Sequence, residues 1–196
     1  MKKRCICAFI CACILFSVCV LPSSASENGA FRVAVIVDDD ALEGFAASEG
    51  MLRDFVTSIE KEDAFAAFYF DAGDIVESVD LTAALIYFKV NGYRIGVYAN
   101  DVHDAQKFNI FIKYVTKSAS RLVACEKDMA EKFSAEGYSP LCDFDIVLES
   151  GTGKELSFEQ GKDTFVLIKL YEGSVQDAEK LLECALENGL EIRAAS

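Results

Sequence analysis

Phe31-Arg32-Val33-Ala34-Val35-Ile36-Val37 is an almost unbroken apolar run, ended by Asp38-Asp39-Asp40. A strand that alternated polar and apolar residues could lie on a surface. This one has no polar face to offer water, so it must be covered on both sides. Any fold for the chain has to place that strand centrally. The sequence after it predicts a helix carrying Phe45, Leu52, Phe55, Val56 and Ile59, and then a second strand, Ala64 to Phe70, closed by Asp71-Ala72-Gly73-Asp74.

Further along, Asn91-Gly92 lies between two runs rich in strand-forming residues, Leu81–Val90 and Tyr93–Asn100. Asn-Gly suits a two-residue hairpin turn, because both positions tolerate positive φ. Residues 107–115 extend the meander, with Phe108, Ile110, Ile112 and Tyr114 assigned to one side. A helix is expected from Ser118 or Ser120 to Gly137, then strands Asp143–Glu149 and Thr164–Leu170, with short turns and a strand near Leu156–Phe158 between them. A last helix is capped by Ser174 and stopped by Asn188-Gly189, and Leu190–Arg193 offers an edge strand. Together these predict an α+β fold: a mostly antiparallel sheet of hairpins with three helices packed on it. The N-terminal βαβ unit could contribute one parallel pair.

The first residues have the form of a secretory leader. Met1-Lys2-Lys3-Arg4 is followed by an apolar stretch from Cys5 to Leu21 and then Pro22-Ser23-Ser24-Ala25. Cleavage after Ala25 would leave residues 26–30 as a short lead and 31–196 as a single domain in the periplasm or outside the cell. A retained leader would instead anchor the domain to a membrane. All the acidic residues lie beyond the leader and three basic ones lie in it, so the exported chain is more acidic than the whole-chain charge of −13. Such a surface argues against nucleic acid and against anionic membrane as partners. The leader also holds five of the cysteines, leaving Cys125, Cys142 and Cys184, too few for a disulfide framework and at no zinc-binding spacing.

No catalytic signature stands out. Ser150-Gly151-Thr152-Gly153-Lys154 lacks the outer positions of a phosphate loop. His103 is the only histidine, set between Asp101 and Asp104 in a polar connection, with no serine or cysteine nucleophile context around it. Asp38, Asp39 and Asp40 are the candidate ligands for a hard cation such as Ca²⁺ or Mg²⁺, with Asp71 and Asp74 at the end of the next strand. Equally, aspartates at a strand end cap the helix that follows. Tyr93 and Tyr98, on the expected central strands, are the candidate partner-binding residues.

Val35-Ile36-Val37-Asp38-Asp39-Asp40 resembles the first strand of response-regulator receiver domains, but the stretch that would supply their phosphoacceptor, Ala83–Val90, has no acid. The order of elements from Phe45 to Asn188 is similar to that of type III secretion chaperones, which implies partner binding without catalysis. The sequence alone therefore points to an exported, non-catalytic binding or assembly module for a protein or peptide. A divalent-cation-binding domain or metal-dependent hydrolase using Asp38–Asp40 is the alternative.

Overall fold

Among the described residues every strand pairing is parallel. A computed structural model describes residues 29–149 (except 75), 162–171 and 173–195. The strands are β1 (Ala30–Val37), β2 (Ala67–Asp71), β3 (Arg94–Tyr98), β4 (Leu122–Ala124), β5 (Ser139–Leu141), β6 (Ile146–Leu148), β7 (Thr164–Lys169) and β8 (Glu191–Ala194). The helices are α1 (Asp39–Leu42), α2 (Met51–Lys61), α3 (Val79–Val90), α4 (Val102–Thr116), α5 (Ala130–Ala135) and α6 (Ser174–Glu187). The sheet runs β5-β4-β3-β2-β1-β7-β6, with β5 and β6 at its two ends among the described strands.

β1 is the centre, as its apolar run requires. Along one edge it pairs with β7 from Phe31 to Ile36. The other edge is shared: β8 takes Ala30–Val33 and β2 takes Ala34–Val37. Alternation along the strands then sorts the core into two faces. Val33, Val35, Val37, Phe68, Phe70, Val97, Val123, Val166 and Ile168 face the helices, where they meet Leu52, Phe55, Leu85, Phe88, Phe108 and Leu182. Ala34, Ile36, Ala67, Tyr69, Ala124 and Leu167 face the other way and form a second, smaller cluster with Ala195.

Four expectations are overturned. The antiparallel α+β sheet is a parallel one in which strands alternate with helices. Leu81–Val90 is not a hairpin strand but helix α3. Ser78 Oγ accepts the Leu81 N–H at 3.1 Å to cap it, and Leu81, Ala84, Leu85 and Phe88 are buried at helical spacing. Residues 107–115 are likewise helical, in α4. Phe108 and Ile112, four apart, are buried, whereas Ile110 and Tyr114 are 71% and 73% exposed, so those four residues never shared a face. The helix expected from Ser118 or Ser120 is strand β4 followed by a single 3-10 turn and the short α5.

The strands expected at Phe31–Val37, Ala64–Phe70, Tyr93–Asn100 and Thr164–Leu170 form at or near those places, as β1, β2, β3 and β7. The last helix also stands where expected, with Gly173 rather than Ser174 at its cap position. β8 forms where an edge strand was expected, pairing among the described strands with the first half of β1 alone. The leader, the glycine turns at 151–153 and the strand near 156–158 lie outside the described residues.

Candidate functional site

In parallel sheets with helical crossovers, the loops that carry chemistry leave from the carboxyl ends of the strands. The register identifies what stands there. Val37 pairs with Phe70 and Asp71 with Tyr98, so one further step beyond Val37 sets Asp38 beside Asp71. Asp38, Asp71 and Tyr98 therefore form a row across β1, β2 and β3. Each follows a residue that faces the helices, so by alternation all three face away from the helices, over Ile36, Ala67, Tyr69 and Gly96. On the other side of β1, Ile36 pairs with Lys169, whose ammonium meets the Glu149 carboxylate at 3.4 Å.

Below this polar mouth the sheet is filled. Tyr69 is fully buried and its hydroxyl donates to the Ala195 carbonyl at 3.1 Å. Burial holds that hydroxyl protonated, against the weaker pull of Arg94. Gly96 makes room for the ring: a Cβ at this position would lie 2.5 Å from two ring carbons of Tyr69. Tyr69 thus closes the sheet beneath the row of Asp38, Asp71 and Tyr98.

Asp71 is the perturbed group there. Its carboxyl is held above the ordinary aspartate range, chiefly by burial. The Gly73 N–H, donated to its Oδ1 at 2.9 Å, opposes that, and the charges of Asp74 and Asp38 reinforce it. A carboxylate with a raised pKa is a better proton acceptor than a solvated one, the property required of a general base.

Asp38 is committed elsewhere in part. Its Oδ1 accepts the Ala41 N–H at 2.9 Å and so caps α1. Asp39 and Asp40 are exposed in the first turn of that helix. Among the described residues no group of three His, Cys, Asp or Glu side chains is placed to hold a metal ion. Asp38, Asp39 and Asp40 are thus not brought together as a ligand set.

Of the two candidate tyrosines, Tyr98 joins the mouth, half-buried. Tyr93 does not. It is packed on the helix side against Phe68 and Phe88, and its hydroxyl donates to Glu60 Oε1 at 3.2 Å. His103 is exposed in the first turn of α4, where its own N–H donates to Asp101. The sequence reading missed Lys169 and Glu149, which carry no motif. Their only signal is that each stands at a strand's end.

No protein-family profile matches the sequence, and no curated protein matches it. Solved structures do. The parallel sheet with its helices resembles the half-barrel fold of polysaccharide deacetylases. The chitin deacetylase of the fungal pathogen Colletotrichum lindemuthianum superposes with a TM-score of 0.65 at 11% identity, covering 86% of this chain and 86% of that one. The catalytic domain of a peptidoglycan N-acetylglucosamine deacetylase from Eubacterium rectale gives 0.63 at 12% identity, covering 86% and 89%. A CE4 family pseudoenzyme from Bacillus anthracis gives 0.62 at 13% identity, covering 86% of this chain and 64% of that one. The fold thus stands among deacetylases, some active and some not. That finding replaces the expectation of a non-catalytic module for an unknown partner.

Proposed function

We propose that this chain acts on an N-acetylated polysaccharide of the cell surface, hydrolysing its acetyl amide at the mouth formed by Asp38, Asp71, Tyr98 and Lys169. The reading is carried by one juxtaposition: in a polysaccharide deacetylase fold, two carboxylates stand side by side at the ends of the central strands, one of them with a raised pKa. Asp71 takes the proton of a water as it attacks the acetyl carbonyl, and then returns a proton to the departing amine. Lys169 and Tyr98 are the donors available to the oxygen on which negative charge develops. The Asp38 carboxylate keeps Asp71 hungry for its proton and braces the turn into α1. No step runs through a metal, since the described residues offer no set to hold one.

The leader-like first residues support export, with cleavage after Ala25 and a cell-surface location where such a polymer is found. No described helix is long and apolar enough to cross a membrane.

Acetate release from N-acetylated chitooligosaccharides and from peptidoglycan fragments tests this directly. Release by the wild type, falling at least about 100-fold in Asp71→Asn, is expected. If the folded wild type releases no acetate and neither glycan shifts its NMR signals at Tyr98, the reading is wrong.

A further inference from the structure

We propose that Cys125 and Cys142 form a disulfide that ties the edge strand β5 to β4. Ala124 pairs with Leu141, and the Cys125 N–H continues the ladder by donating to the Leu141 carbonyl at 3.1 Å. The next step along both chains brings Cys125 opposite Cys142. Neighbouring strands lie about 4.8 Å apart, inside the window of roughly 4.4–6.8 Å between Cα atoms that a disulfide spans. The two side chains also share a face, for Cys125 belongs to the helix-side core and Cys142 packs against that same core. Cys184 is on α6, which packs on α2 and β8, beside the central strand rather than the β4–β5 end. The pairing has a single geometry.

Both sulfurs are free thiols in the structure, so it describes the reduced partner of the couple. The two differ in access. Burial raises Cys125 to a pKa of about 11, with Cys142 and Asp128 adding to it, and it remains a thiol at neutral pH. Cys142 is half-exposed, in the wall of a cleft of about 560 Å³ beside Pro140, Phe144 and Phe165, and an oxidant reaches it first. With a low-molecular-weight disulfide as oxidant, the Cys142 sulfur attacks one oxidant sulfur and releases the first thiol. Cys125 then gives up its proton and attacks the mixed disulfide at the Cys142 sulfur, releasing the second thiol. One S–S bond forms and one breaks, and two electrons pass to the oxidant. An oxidising compartment outside the cytosol would drive this to completion.

The bond would hold a short end of the sheet. Among the described strands β5 has one neighbour, β4, and the two share three paired residues.

Equilibration of the full-length chain with oxidised glutathione, alkylation of the remaining thiols and tryptic mapping reads the pairing. Peptides 122–127 and 133–154 should be recovered joined, two hydrogens lighter than the pair of thiols, with Cys184 alkylated. Reduction should lower the melting midpoint of the wild type and of Cys184→Ser by about 5–10 °C, and leave that of Cys142→Ser unchanged. If the folded, oxidant-treated wild type yields the two peptides separately alkylated, or either joined to another cysteine, the proposal fails. The mapping decides even if Cys142→Ser does not fold. None of these readouts depends on deacetylase activity.

Discussion

At the scale of single residues, the sheet interior is set by one exchange of volume, in which Gly96 has no side chain so that Tyr69 can have a large one. Gly96→Ala should cost about 2–3 kcal/mol in denaturant unfolding, since the new methyl meets a buried ring packed between strands. Adding Tyr69→Leu should recover part of that loss, and a strictly additive double variant would show that the two do not share the space. The acid limb of stability belongs to a different residue. Asp163 accepts from Arg32 Nε at 2.6 Å and from the Ala30 N–H at 2.8 Å, and these bonds, Arg32 first, lower its pKa below that of free aspartate. Stability from a depressed carboxyl is present above the unfolded value and is lost as pH falls through the folded one. Asp163→Asn should therefore destabilise by about 1 kcal/mol at pH 7, a figure kept small because the carboxylate is partly solvated, and by nothing at pH 2. Asp71 has the opposite sign. Its raised pKa means the folded state holds the proton more tightly, so the charged carboxylate weakens the fold above its midpoint. In carboxyl NMR titrations that midpoint should drop when Asp74 becomes Asn, because a repelling charge is removed.

Elements of structure show where the sequence misleads and why. Of the three Asn-Gly pairs, those at 91–92 and 188–189 predict a hairpin turn and a helix stop respectively. In the molecule they are the same device. Asn91 Nδ2 donates to the Tyr87 carbonyl at 2.9 Å, and Asn188 Nδ2 to the Cys184 carbonyl at 2.7 Å. Gly92 and Gly189 both take positive φ, and the residue after each bonds back to the helix, Tyr93 to Phe88 and Leu190 to Ala185. Positive φ suits a type I′ turn and a helix C-terminus equally. The period of the preceding residues decides between them, and Leu81, Ala84, Leu85 and Phe88 carry the helical one. What hid it is that α3 is rich in aromatic and β-branched residues, whose strand preference reflects packing on a half-buried surface and yields to context. Ser78→Ala should cost about 1 kcal/mol and Gly92→Ala a similar amount, read as loss of stability with an unchanged denaturant slope. A hairpin at this place would leave Ser78 without any such effect.

For the whole molecule, the central strand was legible because its residues admit one environment only. Its neighbours were not, because parallel pairing joins residues far apart in sequence and leaves no local mark. The site shared that fate. Asp38, Asp71 and Tyr98 could each be singled out as strand-end residues, but only the register β1-β2-β3 makes a row of them. Lys169 joins through β7, whose pairing with β1 spans most of the chain. Removal of β8 by ending the chain after Gly189 should abolish cooperative unfolding altogether. It strips the partner from half of one edge of β1 and the acceptor from the Tyr69 hydroxyl. A sharp thermal transition in that shortened chain would show β8 to be dispensable.

The insertion of β8 beside β1 also fixes a timetable. β1, the first of the described strands to emerge from a ribosome, has its edges completed by β7 and β8, the last two. Until residues 191–194 are free, β1 lacks half of one edge and the core cannot close. A chain built this way stays loose while it is being passed through a narrow opening, and it locks only once its far end has arrived.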